Sequence, residues 1–347
     1  MGLNRFSKVL LTFCLTSLIA FQPYKSKRII VRAENFRAKA ACVMEVTTRR
    51  ILYEENGAVQ LPIASTTKIA TAITVLENCD NIEAEITVPP QAVGVEGSSA
   101  YLTCGQSISL KDLLYGLMLR SGNDCAVALA LHCSNTLDSF AVLMNKTAQK
   151  AGALSTHFHN PHGLPNKKHY STARDMSFIT CYAMHNTAFR KLVATKYYEN
   201  QAWKNKNKML FEYDGAIGVK TGYTMEAGRC LVTAAERNGM MLVSTVLNCP
   251  ATYEFSARLL DDAFSAYEMR KIVSAGDVFE IEGTNSCRAV SQKDIFYPLL
   301  NEETEFLNYK LVEEKIPHRK DVNGEIVGQI QIYLSKQLLF SENLYKL

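Results

Sequence analysis

The sequence lacks internal repeats, low-complexity tracts and linkers rich in proline, glycine and serine. Its N-terminal apolar run, Val9–Phe21, has 13 residues and falls short of the roughly 20 that a membrane-spanning helix needs. These absences argue against long disorder, a collagen-like fold and a multispanning membrane protein. What is present is ordinary globular composition, 47% hydrophobic and 21% charged. A length of 347 residues predicts about two domains, each with a core of its own.

The first 33 residues contain no aspartate or glutamate, but six lysines and arginines. The whole chain has 38 basic and 34 acidic side chains, a formal net charge of +4. Without those six bases, 32 bases face 34 acids, so residues 34–347 carry a net charge of −2. The positive charge therefore belongs to the N-terminus, and the main support for a nucleic-acid-binding protein disappears.

Residues 1–33 have the layout of a secretory signal peptide. Arg5 and Lys8 precede the apolar run Val9–Phe21, and Val31–Ala33 fits a small-residue cleavage pattern, although it lies far downstream. The alternative is an uncleaved N-terminal anchor, through which the protein would associate with the membrane. In both cases we expect an extracytoplasmic protein, exported across the cell membrane and either secreted or attached to the membrane or cell wall.

The ten cysteines include no C-x-x-C pair and no zinc-type spacing. Cys14 lies in the N-terminal segment, and the other nine, an odd number, are spread evenly along the chain. Most lie in apolar stretches such as Ala40–Val43, so we interpret them as buried free thiols and not as a disulfide framework.

Hydrophobic periodicity predicts a mixed α and β region followed by a β region. Residues 40–56 alternate and turn like a strand hairpin. Further strands are predicted at 215–221, 229–235 and 240–247. Apolar spacing predicts helices that start at Ser65 and that cover 110–119, 124–132, 137–150, 173–185 and 253–269.

The composition changes after Lys271. Alternation with a period of two, together with the hairpin signal Asn323–Gly324, predicts a small all-β domain over residues 274–336. We expect residues 337–347 to form a tail that packs on this domain.

Ser65–Lys68 is the sharpest local feature of the sequence. A serine at a helix start and a lysine three residues later lie on one face, about one turn apart. The amine can then contact the hydroxyl and take its proton, provided that burial lowers the pKa of the lysine. The same pattern also arises from an N-cap serine followed by a solvated lysine, so alone it does not establish a site.

Two more elements change this interpretation. Ser121-Gly122-Asn123 follows 56 residues after Ser65, and Lys220-Thr221-Gly222 follows 99 residues after Ser121. The ordered trio of S-x-x-K, an S-x-N element and K-T-G is the signature of penicillin-binding proteins and class A β-lactamases. The three matches fall at a predicted helix start, an interhelical loop and a strand, where the chemistry requires them.

With this trio, the sequence resembles the D-alanyl-D-alanine carboxypeptidases, the low-molecular-mass penicillin-binding proteins, and above all the type found in spore-forming Gram-positive bacteria. The resemblance covers a serine peptidase domain over residues 38–270 and, less distinctly, the β-rich C-terminal domain. It implies the α/β (α+β) transpeptidase fold of penicillin-binding proteins and β-lactamases: an antiparallel sheet flanked by helices, an all-helical subdomain and a small all-β C-terminal domain. The matching blocks are Pro62–Lys68, Gly97–Ser99, Leu119–Asp124, Asn160–Leu164, His169–Asp175 and Gly218–Thr224.

The resemblance also implies catalytic roles. Ser65 would be the nucleophile that forms an acyl-ester, and Lys68 the general base that accepts its proton. Ser121 would relay a proton to the departing D-alanine, and Asn123 would hold the substrate amide and Lys68. The substrates would be peptidoglycan pentapeptide stems, with β-lactam antibiotics as covalent inhibitors.

Four further residues would bind substrate. Lys220 would keep the site electropositive, and Thr221 would donate a hydrogen bond to the terminal carboxylate. Gly222 would let the substrate backbone approach the strand, and the backbone N–H of Tyr223 would complete an oxyanion hole with that of Ser65.

We expect no metal and no cofactor. The histidines that are grouped in sequence have no cysteine or carboxylate between them, and they fall in blocks where the resembled family uses structural histidines: His157, His159, His162 and His169.

Two other functions stay open. A class A-like β-lactamase would need a glutamate near residue 157 to activate the deacylating water, but Ser155–Asn166 contains no acid. A non-catalytic cell-wall binding protein could keep the fold, although all the motif residues are intact.

Overall fold

A computed structural model describes residues 36–282, 287–315 and 319–347. The predicted signal peptide or anchor, residues 1–33, lies outside the described residues.

The strands of the described chain are β1 Ala40–Glu45, β2 Ile51–Glu55, β3 Glu85–Thr87, β4 Ser107–Ser109, β5 Tyr197–Tyr198, β6 Trp203–Lys204, β7 Ala216–Thr224, β8 Gly228–Arg237, β9 Met240–Leu247, β10 Glu268–Val273, β11 Val278–Ile281, β12 Cys287–Val290, β13 Ile295–Leu299, β14 Leu307–Glu313, β15 Lys320–Asp321, β16 Gly324–Leu334 and β17 Gln337–Lys346. The α-helices are α1 Lys68–Asn78, α2 Leu110–Tyr115, α3 Asn123–Cys133, α4 Leu137–Ala151, α5 Ala173–Met184, α6 Thr187–Ala194, α7 Met209–Glu212 and α8 Thr252–Ala266.

A five-stranded antiparallel sheet, in the order β2-β1-β9-β8-β7, forms the centre of the first region. Strands β8 and β9 are buried along most of their length, because helices cover both faces of the sheet. Helix α8 packs on one face with a core around Phe255 and Leu259, and α5 packs on the other. Strand β7 forms an edge of this sheet and carries Lys220–Gly222.

The helices α1 to α4 lie together and share one hydrophobic core with α5 and the inner face of the sheet. Helix α4 begins with a capping box, in which Thr136 accepts from the backbone of Ser139, and it ends at Gly152 with a φ of 88°. These local signals explain why the helix boundaries follow the predicted ones closely. One exception is the predicted helix over 110–119, which the structure divides into α2 and a π-helical turn, Gly116–Arg120.

The C-terminal region is all-β. Its main sheet has the order β11-β12-β17-β16-β14, and β15 pairs with β16. Two outcomes differ from the expected boundaries. Helix α8 ends at Ala266, and β10 begins at Glu268, inside the range predicted as helix. Residues 337–346 form β17 in the interior of the sheet and are not a tail; two register shifts in the β16–β17 pairing blur the alternation that would have revealed the strand.

Most described cysteines are buried free thiols, as predicted: Cys42, Cys125, Cys181, Cys230 and Cys249. Within the described ranges, no single helix is long and apolar enough to cross a membrane, and one bent pair, α3 with α4, meets that test by length and composition only.

Candidate active site

Ser65 lies in a short 3-10 turn, Ala64–Thr67, which leads directly into α1. Lys68 is the first residue of α1, so the two side chains are one turn apart, as the sequence predicts. The Nζ atom of Lys68 lies 2.9 Å from the Oγ atom of Ser65. The hydroxyl and the amine are therefore already in hydrogen-bond contact in the folded chain.

Lys68 is completely buried, with a side chain surrounded by oxygen acceptors. Besides Ser65, its Nζ donates to the Oδ1 atom of Asn123 at 2.6 Å and to the carbonyl of His162 at 2.9 Å. Burial, and after it the positive charge of Lys220, holds the pKa of Lys68 well below its usual 10.5. A lysine with a lowered pKa loses its own proton more readily and can then accept the proton of the serine hydroxyl.

Ser121 and Asn123 come to the site from the turn between α2 and α3. Ser121 adopts a left-handed conformation, with a φ of 62°, where the π-helical turn ends, and Asn123 then starts α3. The amide of Asn123 is held from both ends, because its Nδ2 donates to the carbonyl of Glu96 while its Oδ1 accepts from Lys68. In the described part of the chain, no hydrogen bond joins the Ser121 hydroxyl to Ser65 or Lys68.

Asp124 organises the loop beside this turn, a role that the sequence pattern did not reveal. Its buried carboxylate accepts hydrogen bonds from the Ser99 hydroxyl at 2.6 Å and from the backbone N–H groups of Ala100 and Leu102. The neighbouring N–H of Asn123 donates to the carbonyl of Ser98. Gly97–Ser99 and Leu119–Asp124, which are separate blocks in the sequence, therefore form one folded unit.

Lys220 and Gly222 bring strand β7 against the turn that carries Ser65. Lys220 is buried, and its Nζ donates to the carbonyl of Thr221 at 3.0 Å. A Cβ atom on Gly222 would lie 3.0 Å from the carbonyl oxygen of Ile63 and 3.1 Å from the backbone nitrogen of Ser65. A side chain here would press on the backbone of the turn, so the close approach of the strand favours glycine.

Tyr223 follows on the same strand but points outward, with 65% of its surface exposed. Its side chain lies under the guanidinium of Arg229, 5.9 Å from the ring centroid. The substrate-binding residues predicted from the sequence therefore lie along one edge strand, with the lysine inside and the tyrosine at the rim.

The exposed side chain of Lys206 lies at the rim of the same electropositive region, where its charge acts on Lys220. Burial, and then the charge of Lys206, lowers the pKa of Lys220 to about 7. The pKa of Lys206 is itself lowered, by burial and then by Arg120. Among the described residues, neither Lys68 nor Lys220 forms an ion pair with a carboxylate, so no salt bridge stabilises the charged form of either amine.

The segment Asn160–Leu164 packs on the turn of Ser65. The carbonyl of His162 accepts from Lys68, and the hydroxyl of Thr71 donates to the carbonyl of Pro161 at 2.6 Å. Gly163 has a φ of 88°, and a Cβ atom there would lie 1.9 Å from the carbonyl oxygen of Ala64. The residue types of this segment do not reveal its role in the site, because the segment makes these contacts through backbone atoms.

His169, which is buried, and His162, which is half-buried, make structural contacts. The Nε2 atom of His169 lies 2.8 Å from the hydroxyl of Thr67, and its Nδ1 accepts from the N–H of His159. Burial, followed by neighbouring positive charge, lowers the pKa of His162 to about 4 and that of His169 to about 3. Both rings are therefore neutral at physiological pH.

The Ser65 hydroxyl contacts a buried amine that has no carboxylate partner in the described chain, and a second buried lysine lies on the edge strand. This is the arrangement of a serine hydrolase that works through a lysine and an acyl-ester. The surrounding sheet and helices are those of the predicted transpeptidase fold.

Comparison with known proteins agrees with this class. Residues 27–251 match the model of the D-alanyl-D-alanine carboxypeptidase family. The D-alanyl-D-alanine carboxypeptidase DacF of Bacillus subtilis is 33% identical over 276 residues, which cover 75% of this chain and 69% of that protein. The fold resembles penicillin binding protein 5 from Haemophilus influenzae, with a TM-score of 0.74 and 26% identity, over 90% of this chain and 97% of that one. It also resembles the Streptomyces K15 DD-transpeptidase, with a TM-score of 0.62 and 35% identity, over 66% of this chain and 98% of that one.

The chain therefore belongs to the D-alanyl-D-alanine carboxypeptidase family of serine peptidases. The predicted fold class and family are confirmed.

Proposed function

We propose that this protein is a serine-type D-Ala-D-Ala carboxypeptidase, which removes the terminal D-alanine from peptidoglycan pentapeptide stems and thereby limits cross-linking. The observation that carries the proposal is the position of the Lys68 amine, which lies between the hydroxyl of Ser65 and the amide of Asn123, is fully buried and has no carboxylate partner in the described chain. Family membership supports the same activity.

The chemistry proceeds in two steps. The Oγ atom of Ser65 attacks the carbonyl carbon of the penultimate D-alanine, and its proton passes to neutral Lys68. The amide bond to the last D-alanine breaks, and the leaving amine takes a proton through Ser121. Water then attacks the acyl-ester on Ser65, which releases the shortened stem and restores the hydroxyl.

The substrate binds along strand β7, at the edge of the central sheet. The terminal carboxylate of the stem lies near Lys220 and Thr221, and the stem backbone pairs along the strand beside Gly222. The backbone N–H groups of Ser65 and Tyr223 stabilise the oxyanion of the tetrahedral intermediate. The positive charges of Lys220 and Lys206 favour an anionic terminus over a neutral one.

The same site reacts with β-lactams, whose strained amide acylates Ser65. The segment that packs on the serine turn contains no acid from Ser155 to Asn166. With no glutamate in this segment to activate water, we expect the penicilloyl ester to persist, which argues against a class A-like β-lactamase. Rapid turnover of penicillin by the purified protein would favour the β-lactamase instead.

The substrate lies outside the cytoplasm, so the proposed function places the enzyme there too, exported through residues 1–33 and retained at the membrane if that segment stays uncleaved. Fractionation of cells that express the chain with and without residues 1–33 tests this proposal. Export of the shortened chain would contradict it.

The decisive experiment is mass spectrometry of purified muropeptides before and after incubation. We expect pentapeptide stems to lose one alanine, and Ser65→Ala to abolish both this loss and labelling by fluorescent penicillin, a decrease of roughly 10⁴-fold or more. Ser107→Ala, at an exposed serine on β4, is the matched control and should keep both activities. Persistent hydrolysis in Ser65→Ala, or formation of cross-linked dimers in place of shortened stems, would contradict the proposal.

A further inference from the structure

Two thiols meet at the far ends of the two helices that carry the active site. Cys79 lies at the C-terminal end of α1, and Cys133 is the last residue of α3. Their Sγ atoms lie 2.7 Å apart. Because a disulfide bond is about 2.05 Å long, the sulfur atoms need to approach by only about 0.7 Å to form one.

The helices hold these thiols in place. Helices α1 and α3 pack against each other, and both contribute to one hydrophobic core, to which Ile73 and Val127 belong. The backbone N–H of Cys79 still donates to the carbonyl of Val75, so the cysteine is fixed to the last turn of its helix. The proximity of the two sulfur atoms therefore results from rigid elements and not from a loop.

Access and reactivity also distinguish this pair from the buried thiols. Cys79 and Cys133 are partly exposed, so an oxidant in solution can reach them. The hydrogen bond with the Cys133 thiol lowers the pKa of Cys79. A lower pKa increases the fraction of thiolate, which is the nucleophile in thiol–disulfide exchange.

We propose that Cys79 and Cys133 form a reversible disulfide, with a protein or small-molecule disulfide as the oxidant. The Cys79 thiolate attacks one sulfur of the oxidant, forms a mixed disulfide and displaces the other sulfur as a thiolate. Cys133, after loss of its proton, then attacks the Cys79 sulfur of the mixed disulfide. The oxidant sulfur bound there leaves as a thiolate, and the Cys79–Cys133 bond forms. The protein loses two electrons and two protons, and the oxidant is reduced to two thiols.

This bond would close a loop of the chain over 54 residue positions, and that loop contains Ser121 and Asn123. At their other ends, the same two helices hold Lys68 and Asn123, whose side chains are hydrogen-bonded. The cross-link therefore stabilises the helical part of the site against opening, mainly by restricting the unfolded chain. It does not touch the reacting atoms.

The test is a redox titration of the purified full-length protein in mixtures of reduced and oxidised glutathione. Free thiols are blocked with N-ethylmaleimide, and peptides are mapped by mass spectrometry without reduction. We expect one cross-linked peptide pair that joins Cys79 to Cys133, and a Tm about 5 °C or more above that of the reduced protein. If both cysteines are alkylated in every mixture, or each carries its own glutathione, the proposal is wrong.

Three variants separate this pair from the other thiols. Cys79→Ser and Cys133→Ser should each lose the cross-link and the redox-dependent rise in Tm, whereas Cys104→Ser, at an exposed cysteine, should keep both. A rise in Tm that persists in Cys79→Ser would assign the effect to other thiols and overturn the proposal. The peptide map of the wild-type protein decides the question even if a variant fails to fold.

Discussion

Two sets of buried basic side chains in the described residues have opposite surroundings. At the active site, Lys68 and Lys220 are buried next to each other with no carboxylate partner in the described chain. Where the first region meets the C-terminal region, Arg50 forms an ion pair with Glu303, and their side chains are 12% and 1% exposed.

The guanidinium of Arg50 has several partners besides Glu303. Its guanidinium also donates to the carbonyl of Pro298 and lies over the rings of Tyr267 and Tyr297, at 5.1 and 5.3 Å from their centroids. The other carboxylate oxygen of Glu303 accepts from the N–H of Leu300. A buried charge with these partners supports structure, whereas one without them keeps a perturbed pKa that chemistry can use.

The largest effect should come from Lys68→Met, which keeps the volume and removes the amine. We expect acylation by fluorescent penicillin to slow by about 10³-fold to 10⁴-fold, because no group remains to accept the Ser65 proton. The Tm should change little, since the loss of three hydrogen bonds, to Ser65, Asn123 and His162, is offset by the removal of a buried amine that has no ion-pair partner in the described chain.

Lys150→Met, at an exposed lysine, is the control for this variant and should acylate normally. If Lys68→Met unfolded several degrees earlier and yet acylated at the normal rate per folded molecule, Lys68 would be a structural charge like Arg50, and the contrast between the two places would fail.

The opposite result is expected for Arg50→Met. This variant leaves Glu303 buried without its partner, so the free energy of unfolding should fall by about 3–5 kcal/mol, while acylation per folded molecule stays within about twofold. Denaturant unfolding and penicillin labelling measure the two quantities. The double variant Arg50→Met/Glu303→Leu should recover most of the loss.

The exposed pair of Arg258 with Asp262 provides the matched control. Arg258→Met should cost about 1 kcal/mol at most, because solvent screens that pair. A loss of the same size for Arg50→Met would show that the interface pair contributes no more than a surface one.

The smallest effect concerns the pH dependence of acylation. The rate should rise with pH as Lys68 loses its proton, and should fall again as Lys220, whose pKa is about 7, loses the charge that attracts the carboxylate. In Lys220→Arg the charge persists at all working pH values. The ratio of variant to wild-type rate should therefore increase roughly tenfold between pH 7 and 8.5.

Lys204→Arg, at an exposed lysine, should leave the pH profile unchanged. If the acylation rate of Lys220→Arg fell at high pH in the same way as that of the wild type, another group would control this fall.

Local sequence patterns predicted most of the fold and the position of the nucleophile. The contact between Ser65 and Lys68 follows from three-residue spacing at a helix start, and the strands of the central sheet follow from runs of β-branched and apolar residues. The failures have local causes too: the register shifts in the β16–β17 hairpin hid a strand, and the π-helical turn shortened α2. The role of the His162 carbonyl could not be predicted, because a backbone contact carries no residue signature. The role of Asp124 could not be predicted because the partners of its carboxylate lie 22 to 25 residues away in the chain.

Sequence patterns alone predict the order of the three motifs, the geometry within each and the alternation of the C-terminal strands, because these depend on residues that are neighbours in the chain. Tertiary packing is needed to bury Lys68, to bring Lys206 near Lys220, to pair Arg50 with Glu303 and to place Cys79 beside Cys133. Burial and pKa depend on segments that lie tens to hundreds of residues apart, and only packing brings those segments together.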